Sequence, residues 1–409
     1  MKIAVISDIH VGKKARAKDL CPPTTEGYDS KVDDKYCDKF LKFVKKHVQN
    51  VDYLILPGDI TNSADPPEFE IASEFLRSAA DALDIKMDKV VFVPGNHDVD
   101  WSVLEKYDPT GVRKAERYVP ICGPRFCFKP IVDRAEGDLF KEPHFTTWNF
   151  PDLLVLGYNS AHHDEPKKLH HGLITPEHIE EAKRVLNGLP IQKDQVRLFL
   201  VHHHPVQYDD PTPEDPDISI MVNAEHLQVF LREYKFDIVV HGHKHLPRFT
   251  THSLNGSPEI AILCSGSFSV QIDTRWAGTI SNQFHLIEIE GRDEEEQMIM
   301  GRVTSWSYNY ARDWNPSDVI YDGIPHIEPF GIYIRPSKLE EIIRPILEKK
   351  FANQDYIEWA WVTDQDLRLR YLRPEILIRV LDNLSKILNF KRVHETPEKI
   401  ILLKNKSHE

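Results

Sequence analysis

The chain has 409 residues, 41 % of them hydrophobic and 28 % charged, with a formal net charge of −13. That length suits two or three domains at roughly 150 residues each, and the composition excludes a disordered or fibrous chain. An acidic surface repels phosphate backbones, so broad nucleic-acid binding is not favoured. The five cysteines are scattered, and no pair is spaced as a zinc knuckle or redox motif. They read as free thiols of a reducing compartment. No apolar run is long enough for a secretory leader or a membrane span, so a cytoplasmic location with no membrane partner is expected.

In chain order, residues 2–7 form a short apolar strand. Phe40, Leu41, Val44 and Val48 recur at helical spacing over 33–48. Residues 51–57 make a buried strand that ends in Gly58-Asp59. A second helix follows over 67–83, and a third strand over 89–94 ends in Gly95-Asn96-His97-Asp98. Strand, helix, strand, helix, strand predicts a largely parallel α/β sheet. Residues 100–150 read as an insert. The pattern then resumes with strand 152–158, helix 176–188, and strand 196–201 before His202-His203-His204-Pro205. Helix 224–234 and strand 236–240 lead into His241-Gly242-His243-Lys244-His245, and strands follow at 259–264, 283–289 and 299–308. Glu294-Glu295-Glu296 reads as an exposed turn. Prolines, glycines and aspartates over 311–330 read as a linker or docking segment. Beyond it, apolar stripes around 339–347, 363–372 and 377–388 predict three helices, and residues 390–404 a hairpin. The domain boundaries expected are 1–312 and 313–409, the second a small helix-plus-hairpin module with winged-helix-like order. Residues 335–409 hold 15 Lys and Arg against 12 Asp and Glu.

Each dense polar cluster stands just past the end of an apolar strand. In an open α/β sheet such loops gather at one edge, where ligands bind. Asp8, His10, Asp59, Asn96, His203, His243 and His245 are the candidates so collected, and imidazole mixed with oxygen donors suits Mn, Fe or Zn. Such a density of charge is costly to hold together without a cation. Asp8 and His10 stand two apart, as do His243 and His245, which on an extended segment turns each pair to one side. His144, His162, His163, His170, His178, His226 and His285 read as surface or satisfied core residues.

The blocks Asp8-Ile9-His10, Gly58-Asp59, Gly95-Asn96-His97-Asp98, His203-His204-Pro205 and Gly242-His243-Lys244-His245 resemble, in order, those of the calcineurin-like metallophosphoesterases. The resemblance runs over the part of the chain before residue 300. It implies a four-layer α/β/β/α sandwich and two divalent metal ions, manganese first among Mn, Fe and Zn. One ion would take Asp8, His10, Asp59 and His245. The other would take Asp59, Asn96, His203 and His243, with Asp59 bridging. His203 is chosen from the histidine run because the family's ligand stands two residues before the proline; strand alternation would then turn His202 and His204 away. The resemblance also makes His97 the candidate that assists the leaving group. Asp98 either orients His97 or caps a helix.

The activity so implied is metal-dependent hydrolysis of a phosphate ester by activated water. The segment from Gly58 to Pro205 is similar to the cyclic-nucleotide phosphodiesterase branch, which favours a phosphodiester substrate, a nucleotide among them. The insert over 100–150 and the C-terminal module depart from that branch. Three other readings stand beside it: a nuclease that uses the C-terminal module to seat DNA or RNA, a phosphomonoesterase or protein phosphatase, and a non-catalytic interaction protein with a vestigial site. In the last, the C-terminal module would bind a protein partner or a second copy.

Overall fold

The computed structural model describes residues 1–22, 35–103, 116–123, 135–164, 171–208, 219–252, 259–270, 272, 280–293, 298–309, 312–317, 323–332, 334–396 and 399–405. The chain divides into two compact units, residues 1–287 with 305–325 and residues 288–304 with 326–409. Residues 288–304, expected in the first domain, therefore group with the C-terminal unit, and 313–325 group with the first. The expected turn at Glu294-Glu295-Glu296 lies outside the described residues.

The first unit opens with β1 (Lys2–Val5), α1 (Tyr36–His47), β2 (Tyr53–Leu56), α2 (Pro66–Ala82) and β3 (Val90–Phe92). β1, β2 and β3 pair in parallel. Their side chains are almost all buried, the mark of a sheet covered on both faces. α1 buries Tyr36, Phe40 and Val44, four residues apart, and turns Lys42, Lys45 and Lys46 to solvent. α2 starts where Asp65 and Glu68 form a reciprocal capping box around Pro66 and Pro67.

The second half of this unit holds β4 (Glu136–Gly137), β5 (Phe145–Asn149), β6 (Leu153–Tyr158), α3 (Pro176–Gly188), β7 (Val196–Leu200), α4 (Ala224–Glu233), β8 (Ile238–His241), β9 (Pro247–His252) and β10 (Ile260–Ser265). Their sheet has the order β4-β5-β6-β7-β8-β10-β9, with β6, β7, β8 and β10 parallel. Alternate residues Leu154, Leu156, Tyr158, Phe199 and Val239 pack on Ile179, Ala182 and Leu186 of α3 and Leu227, Phe230 and Leu231 of α4. Leu153, Val155, Leu198, Leu200, Ile238 and Val240, on the opposite face, are also fully buried. Helices thus cover the outer face of each of two sheets, which gives the α/β/β/α sandwich.

Next come β11 (Gln283–Arg292), β12 (Ile299–Asn309), β13 (Asp313–Pro316) and β14 (Ile327–Phe330). They extend the first sheet in the order β13-β12-β11-β1-β2-β3, with β14 also on β12. The expected linker over 311–330 therefore contains two strands. Each has four residues and a proline, and both pair antiparallel with β12 at places where no long period could announce them. β4, β5 and β9 were likewise not anticipated.

The C-terminal unit contains α5 (Pro336–Phe351), β15 (Tyr356–Glu358), α6 (Trp359–Gln365), α7 (Pro374–Leu388), β16 (Phe390–Thr396) and β17 (Lys399–Lys404). Leu339, Ile343 and Leu347 meet Leu377, Val380, Leu381 and Leu384, and Ile400 and Leu402 of the hairpin close the core. The first and third expected helices and the hairpin are present; over the expected 363–372 the chain instead ends α6 at Gln365 and turns through a 3-10 helix, Leu367–Tyr371. β15 adds a third strand in the order β15-β17-β16. Among the described residues no helix is long and apolar enough to cross a membrane.

Candidate metal centre

Five loops converge on one site in the first unit, each leaving a parallel strand. β1 leads to Asp8 and His10, β2 to Asp59, β3 to Asn96, β7 to His202, and β8 to His243 and His245. The first two loops are zipped side by side: Asp8 N donates to Gly58 O (3.1 Å), His10 N to Asp59 O (3.0 Å) and Val11 N to Ile60 O (2.9 Å). The β8 loop is tied in by His243 N, which donates to Asp8 Oδ1 at 3.1 Å.

The backbone of this site is not extended. Asp8, His10, Asp59, His243 and His245 have φ of 49°, 49°, 50°, 88° and 61°. Non-glycine residues seldom adopt that left-handed region, and where they cluster the surroundings hold them for function. The Asp8/His10 and His243/His245 pairs therefore converge through turns, not through strand alternation. Close approach also needs small neighbours. A Cβ on Gly95 would overlap the Asp59 carboxylate, and one on Gly242 would overlap Asp8 and Ser7.

The donor atoms fall into two groups that meet at Asp59. Asp8, His10, Asp59 and His245 each offer one within 4.8 Å of the others, and so do Asp59, His202 and His243. In the first group His10 Nε2 lies 3.5 Å from Asp59 Oδ2 and 2.9 Å from His245 Nε2. In the second, His202 Nε2 lies 3.3 Å from Asp59 Oδ2 and 3.1 Å from Asn96 Oδ1, and His243 Nδ1 lies 3.2 Å from that same Asn96 oxygen. His202 Nδ1 stands 2.9 Å from the carbonyl of Pro57, which can only accept, so Nε2 keeps the electron pair of the neutral ring. That pair faces two oxygen acceptors, an arrangement that calls for a cation between them. His10 Nδ1 is buried and has no hydrogen-bond partner among the described residues. The residues fit two cations that share Asp59.

The histidine run is where the structure corrects the sequence reading. His202, not His203, turns to Asp59 and Asn96. His203 places Nδ1 2.8 Å from Ser160 Oγ and Nε2 3.3 Å from Asp164 Oδ2. His204 packs toward Cys264, with Nε2 to Sγ at 3.9 Å. The cause lies in the backbone: β7 ends at Leu200, so strand alternation does not carry through the run. His241 also stays outside the two groups, its Nε2 2.7 Å from the hydroxyl of Tyr208.

Electrostatics follow from burial and from the two carboxylates. Burial opposes charge on Asp59, yet His202 and His97 beside it hold its carboxyl well below the usual range. Burial works against protonation of His202 too, but the Asp59 carboxylate holds it up at about 9. Burial lowers His10 and His243 well below the ordinary imidazole value. A proton on His202 thus stands in a place that a metal ion would take.

His97 is half-buried, and its ring centroid lies 4.8 Å from that of His10. Its Nδ1 donates to Asn62 O at 2.7 Å, so Nε2 keeps the electron pair of the neutral ring. Asp98 does not orient that ring. Its buried carboxylate accepts from Thr61 N (2.8 Å), Gly95 N (2.9 Å) and Ile60 N (3.2 Å), and from Thr61 Oγ1 (3.1 Å). It binds the Asp59 loop to the Asn96 loop. Burial, with Asp59 nearby, raises it to about 7.

Solved structures similar to the chain include the purple acid phosphatase PPD1 from yellow lupin (Lupinus luteus) seeds, 14 % identical over 76 % of this chain, with a TM-score of 0.48. The chain spans 54 % of that enzyme's length. The NAD nucleotidase NadN of Haemophilus influenzae is 11 % identical over 77 % of this chain and 53 % of its own, with a TM-score of 0.37. Vacuolar Protein Sorting 29 from Cryptosporidium parvum is 12 % identical over 77 % of this chain and 94 % of its own, with a TM-score of 0.32. No curated protein sequence matches the chain. The family model of the calcineurin-like phosphoesterases matches residues 1–247, a stretch that contains every residue of the centre, and the chain belongs to that family.

Proposed function

We propose that the chain is a binuclear metal-dependent phosphodiesterase. The observation that carries this reading is the pair of donor groups meeting at Asp59, with His97 beside them. Asp8, His10, Asp59 and His245 would hold one divalent ion, and Asp59, Asn96, His202 and His243 the other. Bound there, two divalent ions supply Lewis acidity that activates water and neutralises phosphoryl oxygens. The protein holds the donors on rigid strand ends. It fixes the tautomer of His202 through Pro57 and that of His97 through Asn62, which leaves His97 Nε2 for the substrate. His97 moves a proton at Nε2 to the leaving oxygen. Burial lowers its basicity, so the substrate's negative charge is needed to keep that proton on the ring. The mixed imidazole and carboxylate donors suit Mn, Fe or Zn, and manganese is the ion we test first.

The test compares an aryl phosphodiester with its aryl monoester, with Mn²⁺ and with chelator, for wild type and Asp59→Asn. The expected result is metal-dependent cleavage of the diester, reduced at least about 100-fold in the variant, which is roughly 2.7 kcal/mol of transition-state stabilisation. Preference for the monoester would move the reading to a phosphatase. Metal-loaded protein that cleaves neither would remove the diesterase assignment.

A further inference from the structure

A second cluster of metal-ligating side chains lies in the first unit, among residues the two donor groups do not use. Glu142 and His144 stand just before β5. His162 stands in the 3-10 turn Ser160–His163 that follows β6, and His178 in the first turn of α3. The antiparallel pairing of Phe145 with Tyr158 brings the start of β5 beside the end of β6. Glu142, His144 and His162 each offer one donor atom within 4.8 Å of the others. His178 Nε2 is 2.9 Å from Glu142 Oε2, and His144 Nε2 is 3.5 Å from Glu142 Oε1.

Two features distinguish His144 from a histidine satisfied in a core. First, His144 Nδ1 faces the carbonyl of Leu139 at 3.2 Å, so that nitrogen carries the proton and Nε2 keeps the electron pair. The pair is aimed at a carboxylate oxygen, the same acceptor-to-acceptor arrangement seen at His202. Secondly, His144 has φ of 63°, the left-handed backbone shared by five residues of the binuclear centre. The rings of His144 and His162 stand 4.4 Å apart, and His162 Nε2 lies 3.2 Å from the carbonyl of Leu173, which leaves its Nδ1 as the nitrogen for a metal. Burial, chiefly, keeps both rings neutral, and neutral rings bind metal.

Around the cluster the rings are held by a further layer of hydrogen bonds. The Tyr158 hydroxyl lies 2.9 Å from His162 Nε2 and 2.9 Å from His178 Nδ1, and donates to Leu173 O at 2.6 Å. Such outer partners orient metal-ligating imidazoles. Glu142, His162 and His178 also line a cavity of 560 Å³ that Glu177 and Glu181 border. The acidic border attracts cations, and the space admits water or a small anion as a further ligand.

We propose that Glu142, His144 and His162, with His178 beside them, form a third divalent-cation site of the zinc class, open to solvent through this cavity. Imidazole nitrogens with one carboxylate are zinc donors, and tetrahedral zinc spaces its ligand atoms about 3.3 Å apart. Binding an ion would draw the donor atoms, now within 4.8 Å of one another, to that spacing and turn the stacked His144 and His162 rings toward it. The site goes beyond the phosphodiesterase reading and does not depend on it.

The experiment equilibrates the full chain with a small excess of Zn²⁺, desalts it, and counts zinc per chain by plasma mass spectrometry. Wild type should retain one more ion than the Glu142→Gln/His144→Gln variant, with the far-ultraviolet circular dichroism of the two superimposed. Asp59→Asn should lose zinc from the binuclear centre and keep the ion at Glu142. Equal zinc in wild type and the double variant would overturn the proposal. If the double variant does not fold, Glu142→Gln decides alone, because that side chain is 74 % exposed and its loss leaves the core intact. Calorimetric titration with Zn²⁺ should then show one site weakened at least about tenfold. Unchanged affinity at every site would overturn the proposal.

Discussion

His202 and His203 are chain neighbours with the same side chain, both fully buried, and they face different chemistry. His202 reaches Asp59 and Asn96; His203 reaches Ser160 and Asp164. Replacing each by alanine should separate them. His202→Ala should lose one metal ion per chain and at least about 100-fold in activity, about 2.7 kcal/mol. His203→Ala should keep both ions of the binuclear centre, which metal analysis of the two variants reads directly. At this scale the sequence named most of the side chains that the strand ends gather, though not their roles. Asp8, His10, Asp59, Asn96, His243 and His245 all come together where strand ends before charged residues said they would. The single exchange, His202 for His203, was not legible. It depends on where β7 stops, and three successive histidines contain no sign of that.

At the scale of elements, Asp98 joins two loops that each contribute to the centre. It satisfies three backbone N–H groups and one hydroxyl, all buried. Asp98→Ala should therefore lower stability by about 3 kcal/mol or more, read as a shift in the urea midpoint, while Asp98→Asn should cost less. In the C-terminal unit the telling residue is Glu328 on β14. Burial, then repulsion from Glu375, raise its carboxyl to about 7, against the pull of Arg373. The unfolded chain titrates near 4.3, so between about pH 4.3 and 7 the folded unit binds the extra proton. Stability is full below that window and falls as pH rises through it. Glu328→Gln should flatten the fall and raise stability at pH 8 by about 2 to 3 kcal/mol. Denaturant titrations at pH 5 and pH 8 check both. The long helices and buried parallel strands were legible because their periods run for many residues. β4, β13 and β14 were not, because two to four residues hold no period and their partners lie elsewhere in the sequence.

For the whole molecule, two units with separate cores predict separate unfolding transitions. The whole metal centre lies in the first unit, so chelation should lower only the transition that belongs to it. At a free metal concentration about 1,000 times the dissociation constant, a bound ion contributes about 4 kcal/mol to that unit. Calorimetry with and without chelator reads the difference, and equal shifts of both transitions would contradict the division. The division itself was only partly legible, since β11 and β12 read as single strands and yet serve both units. One more consequence follows from the five-loop construction of the centre. Asp8 and His245 stand at opposite ends of the stretch that builds it, and chains are synthesised at roughly 5 to 20 residues per second. Asp59 is therefore made many seconds before His202 and His243, and β1 waits longer still for its neighbour β11. A translating ribosome exposes a carboxylate pair, Asp8 and Asp59, with three of the four imidazoles, His202, His243 and His245, still to be made. The proposed centre is therefore complete only once His243 and His245 have been made.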